Sequence, residues 1–369
     1  MFNTTITHIV CLVFLAFIVI IGGECFRELY FKFSGLACFL CISYLLASFI
    51  DNALPRFRAT SAKKAVFITG CDRGFGLLLA RRLDSLGFKV FAGCLDPLGA
   101  DVQKLKNTAS SRLSLVKIDV TRDESVSCAQ EEVKNNLGDC ELWALVNNAG
   151  VIERGELEWT PMEIYQKQFE VNTFGVVRVT QAFLPLLRRY KGRIVTVTSV
   201  GGRFTFSGFV PYCMSKHATS SFCEGLRMEM AKFGVKVITI EPFSYQTGMT
   251  DASNVSRSIK QTWSMSSSKY AGDVYDDDYI DEFSDSVRKF NEATVLPDPG
   301  KVVDQMVEGV CAISPHYSYV VGCWEFLFNL WMSRRLPKTF VDFFTRKRVT
   351  FDCDLEQYLI SSLKDKKNS

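Results

Sequence analysis

The sequence predicts a doubly wound α/β fold with a parallel sheet, preceded by N-terminal transmembrane segments. Three observations carry that prediction. Short β-rich runs alternate with amphipathic helical segments from Lys64 onward, a glycine-rich turn follows the first run, and two uncharged apolar stretches precede them all. At 369 residues the chain is long for one domain, yet fits one α/β domain with extensions.

In chain order the membrane signal comes first. Residues 5–23 are apolar and nearly uncharged, and as a helix they span about 28 Å, enough for a hydrocarbon core. A polar break with Glu24, Arg27, Glu28 and Lys32 separates them from a second apolar stretch at 34–50. A secretory signal peptide is the plainer reading of the first stretch. Against it, no Lys or Arg precedes the run and the second stretch follows at once, which favours a retained anchor of one or two helices over residues 1–60. Arg56, Arg58, Lys63 and Lys64 follow the second stretch, and the positive-inside tendency then faces the main domain to the cytosol. The terminal Lys366-Lys367-Asn368-Ser369 looks like a dilysine retrieval signal, which points to the endoplasmic-reticulum membrane; a solvated basic tail is the plainer alternative.

Apolar runs at 65–69, 88–94, 113–120, 141–147, 192–198 and 235–240 predict six strands, with helices between them. Hydrophobic residues make up 47% of the chain, ample for the core this requires. The net charge of +3, with no basic block interleaved with aromatics, argues against a nucleic-acid partner. Three histidines and thirteen scattered cysteines offer no metal-ligand spacing, and the odd cysteine count suggests reduced thiols facing a reducing compartment.

The turn Thr69-Gly70-Cys71-Asp72-Arg73-Gly74-Phe75-Gly76 lies between the first strand and the first helix. There Gly70, Gly74 and Gly76 let backbone approach a pyrophosphate, and the helix start supplies N–H groups to it. A Rossmann-type nicotinamide nucleotide site is expected. Two residues disagree about which nucleotide. Asp96, past the second strand, suits an adenosine ribose and repels a 2′-phosphate, whereas Arg73 attracts one. Asp96 weighs more, since one carboxylate both binds NAD and excludes NADP. NAD is therefore expected, with NADP the alternative. Asp119-Val120 is placed to touch the adenine, or is an ordinary strand end with Asp as a cap.

Tyr212 and Lys216, four apart in a helical segment at 212–233, share one helix face. A free tyrosine has a pKa near ~10, and a neighbouring ammonium lowers it towards the working range of a proton carrier. Such a pair is common by chance. Ser199, thirteen positions upstream at a strand end, adds a hydroxyl able to hold a substrate oxygen while Tyr212 moves the proton.

With these motifs in order, the sequence resembles the short-chain dehydrogenase/reductase family over about residues 64–325. The turn at 69–76 matches, as do Asn147-Asn148-Ala149-Gly150, Asn172 within Phe169-Glu170-Val171-Asn172, Ser199, and Tyr212-Cys213-Met214-Ser215-Lys216. Phe91-Ala92-Gly93-Cys94-Leu95 and Phe183-Leu184-Pro185-Leu186-Leu187-Arg188 are similar to the branch of retinol dehydrogenases, oxidative hydroxysteroid dehydrogenases and 3-hydroxybutyrate dehydrogenase. The resemblance implies a tetrad of Asn172, Ser199, Tyr212 and Lys216, with Asn172 and Lys216 holding a water. It further implies that Lys216 contacts the nicotinamide ribose and that Asn148 positions the cofactor. Pro242 and Thr247 fit the branch, but Phe243 stands where it has glycine, and its ring narrows the nicotinamide site or redirects the loop.

Phe204, Phe206 and Phe209 follow Ser199 and are read as an apolar pocket wall, with core packing the equal alternative. Residues 61–325 are expected to form one catalytic domain with a lid at about 242–296. That lid contains Trp263, Tyr270 and the acidic run Asp276-Asp277-Asp278, taken as a solvated loop. The aromatic and basic tail at 326–369, beginning just past Trp324, either lies on the membrane surface or packs onto the domain or a homodimer partner. The expected activity interconverts a secondary or lipophilic alcohol of steroid or retinoid type and its carbonyl by hydride transfer to NAD. Alternatives are a 3-hydroxybutyrate-type hydroxy-acid dehydrogenase and a silent NAD-binding membrane scaffold.

Overall fold

A computed structural model of the chain describes residues 32–36, 38–44, 46, 57–266 and 275–323. It falls into two units, Met1–Phe57 and Arg58–Ser369. In the first, the described residues between 32 and 46 are helical and carry exposed Phe33, Phe39 and Ile42. No helix among the described residues is long and apolar enough to cross a membrane. The stretch 5–23 and the tail 326–369 lie outside the described residues, and 34–50 is described only in part.

The second unit is built on one parallel sheet. Its strands are β1 (Lys64–Ile68), β2 (Lys89–Cys94), β3 (Leu113–Lys117), β4 (Glu141–Asn147), β5 (Arg193–Val197), β6 (Lys236–Pro242) and β7 (Ser318–Val321), in the order β3-β2-β1-β4-β5-β6-β7. All six pairings are parallel. The order reverses between β1 and β4, which opens a crevice at the carboxyl ends of those strands. β7 lies beyond the six strands predicted. Its four residues give too short a run to register as a strand, and pairing to β6 is what extends them.

Strand residues alternate between two buried faces. Val66 and Ile68 of β1 pack under α1 (Gly74–Ser85), α2 (Ala100–Thr108) and α9 (Gly300–Cys311). Ala65 and Phe67 face α3 (Asp123–Asn136), α5 (Gly175–Arg189) and α6 (Val210–Ala231), where Phe67 stacks on Phe183 at 4.5 Å. Both faces are covered, so the strands read as continuous apolar runs rather than as alternating ones.

A third apolar cluster stands off the sheet. Here α7 (Ala252–Ser264) and α8 (Asp277–Thr294) pack Val255, Ile259, Tyr279 and Phe283 around Trp159, in contact with Phe209 and Tyr212. The acidic run taken as a solvated loop is instead the start of α8. Asp276 caps it by accepting from the Tyr279 N–H at 2.8 Å, and Asp277 and Asp278 occupy its first turn, where the helix dipole favours negative charge.

Candidate active site

A cavity of about 640 Å³ lies over the carboxyl ends of β1, β4, β5 and β6. Its floor is the glycine turn. Gly70 has φ +70, and a Cβ there would sit 2.7 Å from Ala149 Cα, so only glycine fits. The Asn148 side-chain amide donates to the carbonyls of Thr69 and Gly70, both at 2.9 Å, and the Thr69 hydroxyl accepts from the N–H groups of Asn148 and Ala149. The turn is thus tied to the end of β4. No side chain caps the α1 N-terminus and no acidic residue sits in its first turn. Those N–H groups remain for an anion, as a dinucleotide pyrophosphate requires.

Gly76 does not line the cavity. A Cβ there would lie 2.3 Å from the Gly70 carbonyl oxygen, so this glycine lets α1 pack under the turn instead of touching a ligand. At the far end the Asp72 carboxylate accepts from the N–H groups of Leu95 and Asp96, and Asp96 accepts from that of Leu98 at 3.0 Å. Asp72, Asp96 and Asp101 make this end acidic. Arg73 also lines the cavity, and its side chain packs against Gly248, whose added Cβ would lie 3.3 Å from Arg73 Cδ. Asp119 and Val120 line the cavity, with Asp119 accepting from the Thr121 N–H and hydroxyl.

The opposite wall carries the predicted constellation. Ser199 ends the β5 region, its hydroxyl accepting from the Gly201 N–H at 3.0 Å. A Cβ on Gly201 would meet Tyr212 Cε1 at 3.2 Å and Ser199 Oγ at 3.4 Å, so glycine lets the ring and hydroxyl approach. One turn along α6, Lys216 Nζ donates to the Val197 carbonyl at 3.0 Å and lies 5.8 Å from the Tyr212 ring centroid. Burial pulls the Lys216 ammonium down to about 8. The expected lowering of Tyr212 is not found. Its ring faces the cavity on one side but is otherwise enclosed by protein, and that desolvation pushes the phenol up to about 12 against the opposing pull of Ser199 and Arg154.

Asn172 stands behind Gly150 rather than in the cavity wall; a Cβ on Gly150 would lie 3.2 Å from Asn172 Oδ1 and 3.7 Å from Lys216 Nζ. It belongs to a single π-helical turn, Glu170–Phe174, between α4 (Met162–Phe169) and α5. Its side chain exchanges hydrogen bonds with the Val151 backbone and donates to Ser215 Oγ at 3.0 Å.

Pro242, Phe243 and Thr247 line the cavity past β6. Phe243 donates its N–H to the Val321 carbonyl at 2.8 Å, which continues the pairing with β7, and Tyr245 turns back to meet Phe75 edge-on at 6.3 Å. Phe206 and Phe209 line the cavity, but Phe204 does not; its ring packs on Phe206 at 5.2 Å, one layer out. Two lining residues carried no sequence signal. Arg154 sits four positions past Gly150 with no periodic cue, and Asn291 lies near the end of the amphipathic α8.

Comparison with known proteins fits this geometry. Residues 64–258 match the family model for short chain dehydrogenases. Retinol dehydrogenase 7 of Mus musculus is 39% identical over 279 residues, covering 76% of this chain and 86% of that protein. The 17-beta-hydroxysteroid dehydrogenase type 6 of Bos taurus is 38% identical over 309 residues, covering 84% and 95%. A solved short chain dehydrogenase/reductase from Burkholderia phymatum, in complex with NAD, shares the fold at a TM-score of 0.62 and 20% identity, covering 79% of this chain and 98% of that one. The chain belongs to the short-chain dehydrogenase family. It is an NAD(P)-dependent alcohol dehydrogenase of that type.

Proposed function

We propose that the protein interconverts a lipophilic alcohol of steroid or retinoid type and its carbonyl, using NAD in preference to NADP. The observation that carries this reading is one cavity with an uncapped helix N-terminus and glycine turn on one side and Ser199, Tyr212 and Lys216 on the other. The names of the two mammalian relatives support the substrate class, and the apolar rings of Phe206, Phe209 and Phe290 around the cavity suit it.

Gly70, Gly74 and the α1 N-terminus would hold the pyrophosphate, and Asp96 would take the adenosine ribose while the acidic surround of Asp72 and Asp101 would repel a 2′-phosphate. The bound nicotinamide supplies the hydride acceptor. Ser199 donates a hydrogen bond to the substrate oxygen, Tyr212 takes the hydroxyl proton, and Lys216 holds the site's positive charge and steadies the phenolate. Asn172 anchors the α5 turn against α6 so that Tyr212 and Lys216 keep their spacing. Residues 1–60 anchor the domain at the endoplasmic-reticulum membrane, facing the cytosol, where lipophilic alcohols partition.

The test is initial-rate nucleotide reduction by detergent-solubilised full chain with steroid, retinoid and short hydroxy-acid alcohols, comparing NAD with NADP. Turnover of steroid or retinoid alcohols with NAD supports the reading. Turnover confined to NADP or to short hydroxy acids overturns it.

A further inference from the structure

Among the described residues, two side chains lining the cavity, Arg154 and Asn291, each keep a buried nitrogen donor without a hydrogen-bond partner, as the Tyr245 hydroxyl does. Arg154 is 3% exposed, and its Nη2 donates to the Met249 carbonyl at 3.0 Å while Nε has no hydrogen-bond partner. Its guanidinium carbon lies 5.3 Å from the Phe209 ring centroid, a contact that orients the cation without neutralising it. Glu153 is the adjacent acid, yet its carboxylate is taken by Lys167 at 2.7 Å and by the Ser258 hydroxyl. Asn291, on the lid helix α8, is 7% exposed and its side-chain Nδ2 likewise lacks a partner. Both residues line the same cavity as Tyr212.

An isolated buried cation is costly, and proteins resolve that cost with a paired anion. Burial pulls Arg154 down only to about 10, so it stays charged at neutral pH, with Tyr212 and Glu153 in its field. A planar guanidinium with an unused Nε fits a carboxylate in two-point contact. The side-chain amide of Asn291 adds a neutral donor from the lid.

We propose that Arg154 and Asn291 form a carboxylate-binding end of the substrate cavity, so that the preferred substrate is a lipophilic alcohol carrying a carboxylate near its carbinol carbon. This rests on the alcohol oxidation proposed above and departs from it in the substrate, a lipophilic hydroxy acid in place of a neutral steroid or retinoid alcohol. Binding the acid would tie the loop after β4 to α8.

The probe is the matched pair 3-hydroxydecanoate and its methyl ester, assayed with NAD and solubilised full chain. Wild type is expected to favour the acid in kcat/KM by about tenfold or more, the scale of a charged hydrogen bond. Arg154→Met is expected to lower the acid-to-ester ratio by about that factor, with Arg154→Lys falling between them because it keeps charge but loses the fork. Asn291→Leu, melted alongside to check folding, is expected to lower the same ratio less. Equal losses for acid and ester would mean a structural Arg154 and would overturn the proposal. So would turnover of neutral steroid or retinoid alcohols with no preference for the acid, an outcome that leaves the alcohol-oxidation reading standing. Should no alcohol turn over, calorimetry of 3-hydroxydecanoate binding to the NAD-loaded protein still decides. Binding weakened about tenfold by Arg154→Met supports the site, and no binding to wild type overturns it.

Discussion

The Thr219 hydroxyl lies 2.7 Å from the backbone carbonyl of Asn172, across the gap between the π-helical turn and α6, and 2.8 Å from the Ser215 carbonyl, so its one proton serves both. A π turn frees a carbonyl from the regular helical ladder, and here a side chain two turns past Tyr212 takes it. Thr219→Val is therefore expected to leave that carbonyl buried without its donor, costing about 1–3 kcal/mol in urea melts. Because the same turn holds Asn172 against Ser215, turnover falls as well, and Thr219→Ser restores both. A valine variant as stable and active as wild type would show the contact to be idle.

Lys216 makes stability depend on pH in a defined window. Its folded pKa, about 8, lies below the ordinary 10.5 because burial disfavours the ammonium. Below about 8 both folded and unfolded chains hold the proton, and the folded state bears the full desolvation cost. Between 8 and 10.5 the unfolded chain binds more protons, so this group makes stability rise with pH. Comparing wild type with Lys216→Met, the difference in unfolding free energy should shift in favour of wild type by about 2–3 kcal/mol across that window. A flat difference would mean that Lys216 is solvated.

The acidic adenosine end predicts the nucleotide preference. Asp96→Ala should narrow the ratio of kcat/KM for NAD over NADP by about tenfold or more, since it removes both a ribose acceptor and a repelling charge. Arg73→Ala should weaken both nucleotides alike, because Arg73 lines the cavity within the glycine turn and packs beside Gly248. A selective loss of NADP in the Arg73 variant would restore the 2′-phosphate reading.

Helix α8 is tied down by Tyr279, whose hydroxyl donates to Glu156 at 2.7 Å. Tyr279→Phe removes one buried hydrogen bond, about 1 kcal/mol, while keeping the ring that packs in the apolar cluster. Faster amide exchange in α8 and a raised KM, with kcat less affected, are expected. Unchanged exchange would place the latch elsewhere.

The glycine turn, the strand alternation and the Tyr212–Lys216 spacing were all legible in the sequence, because each follows from backbone geometry at short range. The exceptions share one cause. Gly76 and Phe204 look like ligand contacts in the string, but packing of α1 under Gly70 and of Phe204 on Phe206 places both outside the cavity. Arg154 and Asn291 lie 137 positions apart and line one cavity only in the folded chain, so no local pattern announces them.

The central claim is that Tyr212 moves the proton while the fold holds nucleotide and alcohol together. The most direct measurement is single-turnover NADH formation by NAD-loaded full chain, comparing wild type with Tyr212→Phe on any alcohol the wild type oxidises. The account predicts a loss of about a hundredfold or more with NAD binding and melting temperature nearly unchanged. A Tyr212→Phe protein that forms NADH at the wild-type rate would contradict it.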